Sequence, residues 1–584
     1  VVAAVQLFAS GDGCCLDAPE WPDLEPGYWK EVPREPALGP QFSGKFIRAE
    51  EDVRKVWGTR EFHLVRTIAL KDAPVEAKVQ FSACAMGSFA LNGKAAARNA
   101  DWSNPTVCDV TDLLEAGRNH VEVIYCGWPG LASGTVFELF VRYADGTFER
   151  FASDEQFTCN GKAAVAEPAL PQSRILPYVD FSVVQDFVGA TASSTNVTAG
   201  EKVGCSFRFR GDPPDKPFDV TISLEDACSR LWWDEVRTFD PRDVKKGADG
   251  TWTLPFEFET PLYTTAREVR MTLKSSAVYC RGGIVPSLPL VVKRVESVPG
   301  YEKPICASVV KVGNLPQFAV NGRPFSVLWG GCGGYRGRRD RGTRHSDAPL
   351  NVVSVYPGYM ETGWWPRGEE LDAAALDRAA EAYRRGNHDA WFVFDLTVYP
   401  PADWIKANPD EVAREEDGRA NGDMQHAFSF SSRKALMAMM KMVGKAIRHV
   451  EDSPYANRVI GYRINSGHTI EWLGWDASRG QTLDHSPVAR QEYAQWAKRR
   501  YPGLEDLSVP GWKARHELDG GELLWDPAKH LNAIAFTRFL SRCIAADVVS
   551  LASTVKKMTG GRKMTKETDC DGTPYARLKV SLTS

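Results

Sequence analysis

The sequence lacks a strong excess of charge of either sign. Its 584 residues include 71 Lys and Arg against 75 Asp and Glu, which gives a formal net charge of −4 at pH 7. Proteins dedicated to nucleic acid usually carry a basic excess over a whole domain, because they have to neutralise phosphates. The charge balance therefore argues against a nucleic-acid partner.

The sequence also lacks the cysteine and histidine patterns of metal sites. Its 13 cysteines are scattered and only Cys14 and Cys15 are adjacent, without a CxxC pair or a Cys/His cluster. The HExxH pattern of zinc proteases, with two histidines at helical spacing beside a glutamate, is absent as well. We therefore expect no disulfide scaffold, no metal site and no cofactor.

Long apolar runs are missing too. No window of about 18 uncharged apolar residues is present, so we expect no membrane-spanning helix. The opening stretch VVAAVQLFAS is apolar but short. Residues 1–23 are therefore either the remainder of a secretion leader or a disordered segment, and the first interpretation predicts a secreted or periplasmic protein.

The length and composition fit a globular protein of several domains. Single cores rarely grow beyond about 250–300 residues, so a chain of 584 residues should contain more than one. The chain is 43% hydrophobic and contains 18 Trp. An indole offers a flat apolar face with one polar edge, which suits sugar rings and β-sandwich cores equally well.

Residues 24–165 are predicted to form a β-sandwich. Short, partly alternating runs such as HLVRTIAL, AKVQFSACA and HVEVIYCG are separated by turn residues, and Asn92-Gly93 and Asp145-Gly146 are hairpin signals. The order of LNGK at 91–94, Trp102 and DVTDLLEAGRNHVEV at 109–123 resembles the jelly-roll, galactose-binding-like domains of family 2 glycoside hydrolases and α-L-rhamnosidases. The resemblance implies a fold but no substrate.

Residues 180–298 are predicted to form a second, immunoglobulin-like β-sandwich. Runs such as VGCSFRFRG and FDVTISLED have the length and spacing of its strands, with the turns GDPPDKP and KKGADG between runs. No residues with evident chemistry stand out here, so we interpret this part as a spacer.

From residue 306 to 584 the pattern changes to strands alternating with helices. Strands are expected near residues 325, 350, 390 and 459, with a possible fifth near 563. Alternation of this kind predicts a parallel sheet, and the long loops after the strands favour a (β/α)8 barrel. A barrel needs eight strands, so we expect this one to be C-terminally truncated, about three strand–helix units short.

Two helices are predicted in this part from their apolar periodicity. The first, ending at Gly386, and the second, capped by Ser431 or Ser432, each place apolar residues on one face. These faces consist of Leu371, Ala375, Ala379, Ala382 and Tyr383 in the first helix, and of Leu436, Met440, Val443, Ile447 and Val450 in the second.

Tryptophans concentrate in the loops that follow the predicted strands. In barrel enzymes these loops form the active site. Five tryptophans on one rim favour stacking against a carbohydrate, and we predict that they bind substrate. They are Trp364, Trp365, Trp404, Trp472 and Trp475.

The barrel region resembles clan A glycoside hydrolases, and family 42 in particular. The resemblance rests on YPPADWIKANPDEVAREEDGRANGDMQHAFSFSS at 399–432 and on FAVNGRPFSVLWGG at 318–331. It implies hydrolysis of β-linked glycosides by a retaining, β-galactosidase-like O-glycosidase. Retention needs two carboxylates about 5–5.5 Å apart, one as nucleophile and one as acid and then base.

The resemblance places the acid/base residue at Glu471. Clan A enzymes carry this glutamate at the end of the fourth strand, directly after an Asn. Here Ile470 precedes Glu471, and Asn465 lies six residues earlier, so the loop is either remodelled or without its catalytic role. His468 either contacts substrate or is an ordinary loop histidine. The clan's nucleophile belongs to the seventh strand, for which the chain offers no candidate.

Two functions remain open from the sequence. The first is hydrolysis of β-linked glycosides in plant, host or microbial polysaccharides, with Glu471 as general acid/base and Asn465, His468 and the tryptophans contacting substrate. The second is a carbohydrate-binding protein without activity, whose barrel is degenerate or truncated. Both predict an oligo- or polysaccharide as the partner.

Overall fold

The computed structural model describes the chain from residue 42 to residue 567 with gaps. The described ranges are 42–50, 60–83, 87–99, 105–127, 134–166, 181, 184–275, 277–330, 350–358, 363–386, 389–420, 428–467, 472, 482–517 and 525–567. The predicted leader segment, 1–23, lies outside them, and the predicted domain limits stay predictions. Within the described ranges the chain is rich in β-structure, and its α-helices follow residue 370.

The first part is a sandwich of two antiparallel sheets. One sheet has the order β12-β1-β8-β3-β6 with β9 beside β8, and the other β11-β10-β2-β7-β4-β5. A core of inward-facing residues such as Phe81, Phe89 and Phe137 separates them. The strands are β1 (Ile47–Arg48), β2 (Arg60–Leu70), β3 (Glu76–Ala83), β4 (Gly87–Leu91), β5 (Lys94–Asn99), β6 (Thr106–Asp109), β7 (Gly117–Gly127), β8 (Thr135–Arg142), β9 (Phe148–Ala152), β10 (Thr158–Cys159), β11 (Lys162–Ala163) and β12 (Val165–Ala166).

The predicted hairpin at Asn92-Gly93 joins β4 to β5. Both residues have positive φ, +50° and +76°, which is the backbone that a two-residue hairpin requires and that Asn and Gly adopt at low cost. The prediction of a turn at this dipeptide is confirmed.

The second part is another sandwich of two five-stranded sheets. Their orders are β18-β19-β15-β13-β21 and β14-β22-β20-β16-β17. Phe207, Trp252 and Met271 lie in the core between them. The strands are β13 (Val184–Ala192), β14 (Asn196–Thr198), β15 (Lys202–Arg210), β16 (Phe218–Glu225), β17 (Leu231–Phe239), β18 (Lys245–Lys246), β19 (Thr251–Glu259), β20 (Glu268–Ser275), β21 (Tyr279–Cys280) and β22 (Ser287–Lys293).

The third part begins with a small antiparallel sheet and continues with a parallel one. The small sheet consists of β23 (Ala307–Val312), β24 (Leu315–Val320) and β25 (Arg323–Phe325). The parallel sheet has its five strands in chain order: β26 (Trp329–Gly330), β27 (Val352–Val355), β28 (Trp391–Thr397), β29 (Val459–Asn465) and β30 (Met564–Glu567). The parallel pairing follows the prediction from alternating strands and helices. In the described residues it stops at five strands.

Six helices are described in this part. They are α1 (Ala373–Gly386), α2 (Ala402–Ala407), α3 (Arg433–Glu451), α4 (Pro487–Arg500), α5 (Trp512–His516) and α6 (Leu531–Met558). Among the described residues, no helix is long and apolar enough to cross a lipid bilayer.

Helix α3 shows how far the periodicity prediction was right. Its N-cap is Ser432, whose hydroxyl accepts a hydrogen bond from the backbone N–H of Ala435 at 2.9 Å. The predicted Val443, Ile447 and Val450 are buried. Leu436 and Met440 are only partly buried, and Ala435, Met439, Met442 and Ala446 are buried in addition. The apolar face is wider than predicted because α3 packs against both the sheet and α6.

Helix α1 joins the parallel sheet to the second sandwich through buried charges. Asp377 accepts hydrogen bonds from the backbone N–H and the hydroxyl of Thr265, both at 2.7 Å. Glu381 accepts from the backbone N–H of Tyr263 at 3.2 Å and pairs with Arg384 and Arg385. We call Asp377, Glu381 and their partners the α1 anchor.

Candidate functional site

The parallel sheet has two chemically different faces. Side chains alternate between the faces along a strand. On β28, Phe392, Phe394 and Leu396 join the large core beneath the helices. Asp395 and Thr397 occupy the alternate positions and therefore face the other side. The sequence WFVFDLT thus gives one wholly apolar face and one that becomes polar toward its carboxyl end.

The second face is apolar near the amino ends of the strands. Val352, Val393, Ile460 and Met564 form a core there with residues of the small sheet β23–β25, such as Phe318. This cover closes the amino-terminal part of the face. The polar side chains are left at the carboxyl ends, where the loops begin.

Four side chains on β28 and β29 form the polar part, which we call the strand-end cluster: Asp395, Thr397, Arg463 and Asn465. Asp395 is 3% exposed and forms an ion pair with Arg463, with Nη1 and Oδ2 3.1 Å apart. Its other oxygen accepts a hydrogen bond from the Asn465 amide. A buried carboxylate is tolerated only when paired and hydrogen-bonded in this way.

Thr397 completes the strand-end cluster without a hydrogen bond of its own. It lies across from Asn465 in the pairing of β28 with β29 and is 3% exposed. Its Oγ1 has no hydrogen-bond partner among the described residues. Buried hydroxyls in native proteins are usually satisfied, so an exception of this kind requires an explanation.

The loops after β28 and β29 are joined directly beyond the cluster. The Ser466 hydroxyl donates to the carbonyl of Val398 and the Tyr399 hydroxyl to that of Gly467, both at 2.6 Å. The chain then returns at Trp472, whose backbone N–H donates to the carbonyl of Ser466 at 2.7 Å. The carboxyl ends of the two strands are therefore held firmly in place.

The structure places three of the predicted stacking tryptophans inside the core. Trp364, Trp365 and Trp472 are 0%, 4% and 4% exposed and belong to the core beneath the helices. The Trp472 indole donates to the carbonyl of Ile464 at 3.1 Å. Trp404 is partly buried against the same core. Trp364, Trp365 and Trp472 therefore pack in the core, and binding of substrate by any of the four tryptophans stays a prediction.

The remaining predicted site residues divide between buried and undescribed positions. Asn465 is fully buried and binds Asp395, so it belongs to the strand-end cluster. Glu471, His468 and Trp475 lie outside the described residues, and their roles stay predictions.

Asp484, in the loop between β29 and α4, is a buried acid that the sequence did not point out. Its Oδ1 accepts hydrogen bonds from the backbone N–H groups of Ser486 at 2.9 Å and Arg414 at 3.4 Å. Its Oδ2 is buried without a partner in the described part of the chain. Burial raises the pKa of Asp484, although the backbone hydrogen bonds from Ser486 and Arg414 favour the carboxylate. It follows that Asp484 holds the loops after β28 and β29 together.

The described ranges contain no set of side chains with the geometry of a metal site. No group of three His, Cys, Asp or Glu side chains there is arranged so that it could hold a metal ion. The strand-end cluster itself offers hydrogen-bonding groups, namely Asp395, Thr397, Arg463 and Asn465.

Comparison with solved structures found similarities to proteins that act on or bind carbohydrates. The α-L-rhamnosidase of Streptomyces avermitilis matches with a TM-score of 0.21 and 16% identity, over 45% of this chain and 30% of that one. A β-glucuronidase of Bacteroides uniformis matches with a TM-score of 0.20 and 10% identity, over 88% and 47%. A lectin of Pleurotus ostreatus in complex with GalNAc has a TM-score of 0.20 and 14% identity, over 44% and 83%.

These similarities assign no family to the chain. The chain spans less than half the length of the two enzymes. No family model and no curated protein matches it. At TM-scores near 0.2 the similarities support neither a fold nor a function, and the proposal below depends on the sequence and on the strand-end cluster.

Proposed function

We propose that the protein is a glycoside hydrolase of the retaining type, similar to the β-galactosidases of clan A, with a (β/α)8 barrel to which the five parallel strands belong. It hydrolyses β-linked glycosides, Glu471 is its general acid/base, and it works outside the cytoplasm. The observation that carries the proposal is the buried polar face at the carboxyl ends of β28 and β29, where barrel enzymes bind substrate.

The polarity of this face is its main support. A strand interior without a ligand to bind is ordinarily filled by branched apolar residues. Here an Asp–Arg–Asn network and a threonine hydroxyl occupy it, at the cost of removing a carboxylate and a guanidinium from water. Hydroxyl-rich sugars are the ligands for which such a surface is suited.

Glu471 derives its support from its neighbours in the sequence. It directly precedes Trp472, whose backbone and indole are both hydrogen-bonded at the end of β29. The acid/base residue must be protonated when it donates its proton to the leaving-group oxygen, which requires a raised pKa. Apolar surroundings raise the pKa of a carboxyl group by desolvation, and in the sequence Glu471 stands between the apolar residues Ile470 and Trp472.

The test is hydrolysis of aryl β-glycosides by the full-length protein. We expect Glu471→Gln to lower kcat/KM by at least about 100-fold, the size of a general acid/base contribution. Glu505→Gln is the matched control, because Glu505 is an exposed glutamate in the loop after α4. Equal hydrolysis by the wild type and Glu471→Gln would show that Glu471 is not the acid/base.

One observation favours binding without hydrolysis as a second function. On β27, β28 and β29 the carboxylate present is Asp395, which is 3% exposed and bound to Arg463 and Asn465, so these strands offer a substrate no exposed carboxylate. Calorimetric binding of galactosides by a full-length protein that releases no aglycone from any aryl glycoside would support this second function.

A further inference from the structure

The unsatisfied hydroxyl of Thr397 is an energetic cost in the protein without ligand. A buried polar group that lacks a partner loses its hydrogen bonds to water and gains none in return, which costs about 1–3 kcal/mol. Valine has nearly the same shape and would avoid this cost. At Thr397 the unsatisfied hydroxyl lies beside the polar side chains of the strand-end cluster, so a ligand bound there is a candidate for the missing partner.

The position of Thr397 defines the direction from which that partner comes. Thr397 is the last residue of β28, and Leu396 and Val398 on either side of it pack into the core beneath the helices. Its own side chain lies on the opposite face, with Asp395 two residues before it. The amino-terminal part of this face is covered by β23–β25, and Thr397 lies at the carboxyl end, outside that apolar cover.

The surroundings of Thr397 are rigid and polar. Asn465 lies across from it and is itself fixed by its bond to Asp395. The backbone N–H of Val398 donates to the carbonyl of Asn465 at 2.8 Å, and the Ser466 hydroxyl binds the Val398 carbonyl. A hydroxyl held in this way is positioned before the ligand arrives, so little conformational entropy is lost when it binds.

We propose that Thr397 is a specificity-determining residue whose Oγ1 hydrogen-bonds one hydroxyl group of the sugar bound at the strand-end cluster. The inference deepens the proposed function and relies on it for the class of ligand. It assigns to Thr397 the recognition of a single hydroxyl position and no part in bond cleavage.

The experiment compares three variants of the full-length protein. Thr397→Val removes the hydroxyl and keeps the shape, whereas Thr397→Ser keeps the hydroxyl. Thr272→Val is the matched control, because Thr272 on β20 is also 3% exposed with an unsatisfied Oγ1, but belongs to the second sandwich. Each is assayed for kcat and KM on an aryl β-glycoside and on its mono-deoxy analogues, and for sugar binding by calorimetry.

We expect Thr397→Val to raise KM, or the Kd of the sugar, by about 3- to 10-fold, the size of one hydrogen bond. Thr397→Ser should retain most of the affinity, and Thr272→Val should match the wild type. The decisive readout is a mono-deoxy analogue that lacks the hydroxyl group recognised by Thr397. The wild type should bind this analogue more weakly than the parent sugar, whereas Thr397→Val should bind the two equally well. General misfolding would weaken all analogues alike.

Several results would overturn the inference. Unchanged KM and Kd in Thr397→Val, with an active wild type, would show that the hydroxyl does not contact the sugar, and equal losses on every analogue would assign it a structural role. If the wild type binds a sugar without hydrolysing it and Thr397→Val weakens that binding, the proposed hydrolysis fails while the role of Thr397 holds. A wild type that binds no sugar would overturn both.

Discussion

Two groups of buried polar side chains in the third part of the chain differ in how completely they are satisfied. In the α1 anchor, Asp377 accepts hydrogen bonds from His449 Nε2 at 2.7 Å and Tyr455 OH at 2.8 Å, besides the two from Thr265. In the strand-end cluster, Thr397 Oγ1 has no partner within the described ranges. Both groups are buried, so exposure does not explain the difference.

The difference separates a structural role from a binding role. Where every polar atom is paired inside the protein, the network joins two parts of the chain and leaves no group to bind a ligand. Where one buried group stays unpaired at the end of a strand, as at Thr397, we infer that a ligand supplies the missing partner. Variants of the two groups should therefore differ in whether stability or ligand affinity changes.

The largest expected effect is on the α1 anchor. Asp377→Ala leaves His449, Tyr455 and Thr265 without their shared acceptor, and we expect it to lower the free energy of unfolding by about 3–5 kcal/mol. Urea unfolding, monitored by tryptophan fluorescence, measures this free energy. Asp215→Ala, at an exposed position, is the control. An unfolding midpoint equal to that of the control would contradict a structural role for the network.

The second prediction tests an unsatisfied group away from the strand ends. Asp547 on α6 is 4% exposed, its Oδ2 has no partner in the described part of the protein, and burial raises its pKa to about 8. Because this pKa lies above the unfolded value of 3.8, its contribution to stability is complete below pH 4 and is lost progressively as the pH rises to 8.

We therefore expect Asp547→Asn to stabilise the protein at pH 8, by about 2–3 kcal/mol, with the gain disappearing toward pH 4. Urea unfolding at a series of pH values measures this difference. Asp547 should lower only the stability of the folded protein and should have no effect on sugar binding. A variant whose stability equals that of the wild type at every pH, or that loses sugar affinity, would contradict this interpretation.

Local sequence signals predicted the elements but not the site. The hairpin at Asn92-Gly93 and the N-cap at Ser432 follow from the properties of one or two residues, and both are present. The burial of Trp364 could not be predicted, because a tryptophan after a strand suits a binding surface and a core equally well.

The strand-end cluster depends on register, which a single sequence does not give. The pairing of β28 with β29 shifts by one residue between Phe392 and Val393, and only this shift brings Asp395 level with Arg463. Asp395 stands between Phe394 and Leu396 in a nearly continuous apolar run. A lone charge in such a run was the available signal, since a buried strand accepts one only with a partner.

The third prediction concerns the pH dependence of the α1 anchor. Burial lowers the pKa of His449, but the hydrogen bond and the charge of Asp377 outweigh burial and raise the pKa above 6.5. The charge of Asp452 raises this pKa further, whereas the charge of Arg294 lowers it. A raised pKa means that the stabilisation is complete below pH 6.5 and is lost as the pH rises through the pKa of the folded protein. We expect His449→Gln to cost about 1–2 kcal/mol at pH 6 and less at pH 9.

Urea unfolding of the wild type and His449→Gln at both pH values checks this prediction. The difference between the two proteins is the quantity to follow, because Asp547 lowers the stability of both over part of the same range. A difference that grows toward pH 9 would mean that His449 is neutral in the anchor.

The smallest expected effect compares two buried threonines directly. Thr260 is fully buried, and its hydroxyl lies 3.0 Å from the carbonyl oxygens of Thr198 and Glu201, to which it donates. Thr260→Val should cost about 0.5–1.5 kcal/mol, because it removes hydrogen bonding to these carbonyls, whereas without sugar Thr397→Val should raise stability by about 1 kcal/mol, because it removes an unpaired hydroxyl. Thermal unfolding without and with sugar measures the stability of both variants.

With sugar present, Thr397→Val should gain less stability than the wild type does, since weaker binding raises the unfolding temperature less. Thr260→Val should gain as much as the wild type. A loss of stability in Thr397→Val without sugar would mean that its hydroxyl already has a partner inside the protein, and the distinction between the two groups of buried polar residues would no longer hold.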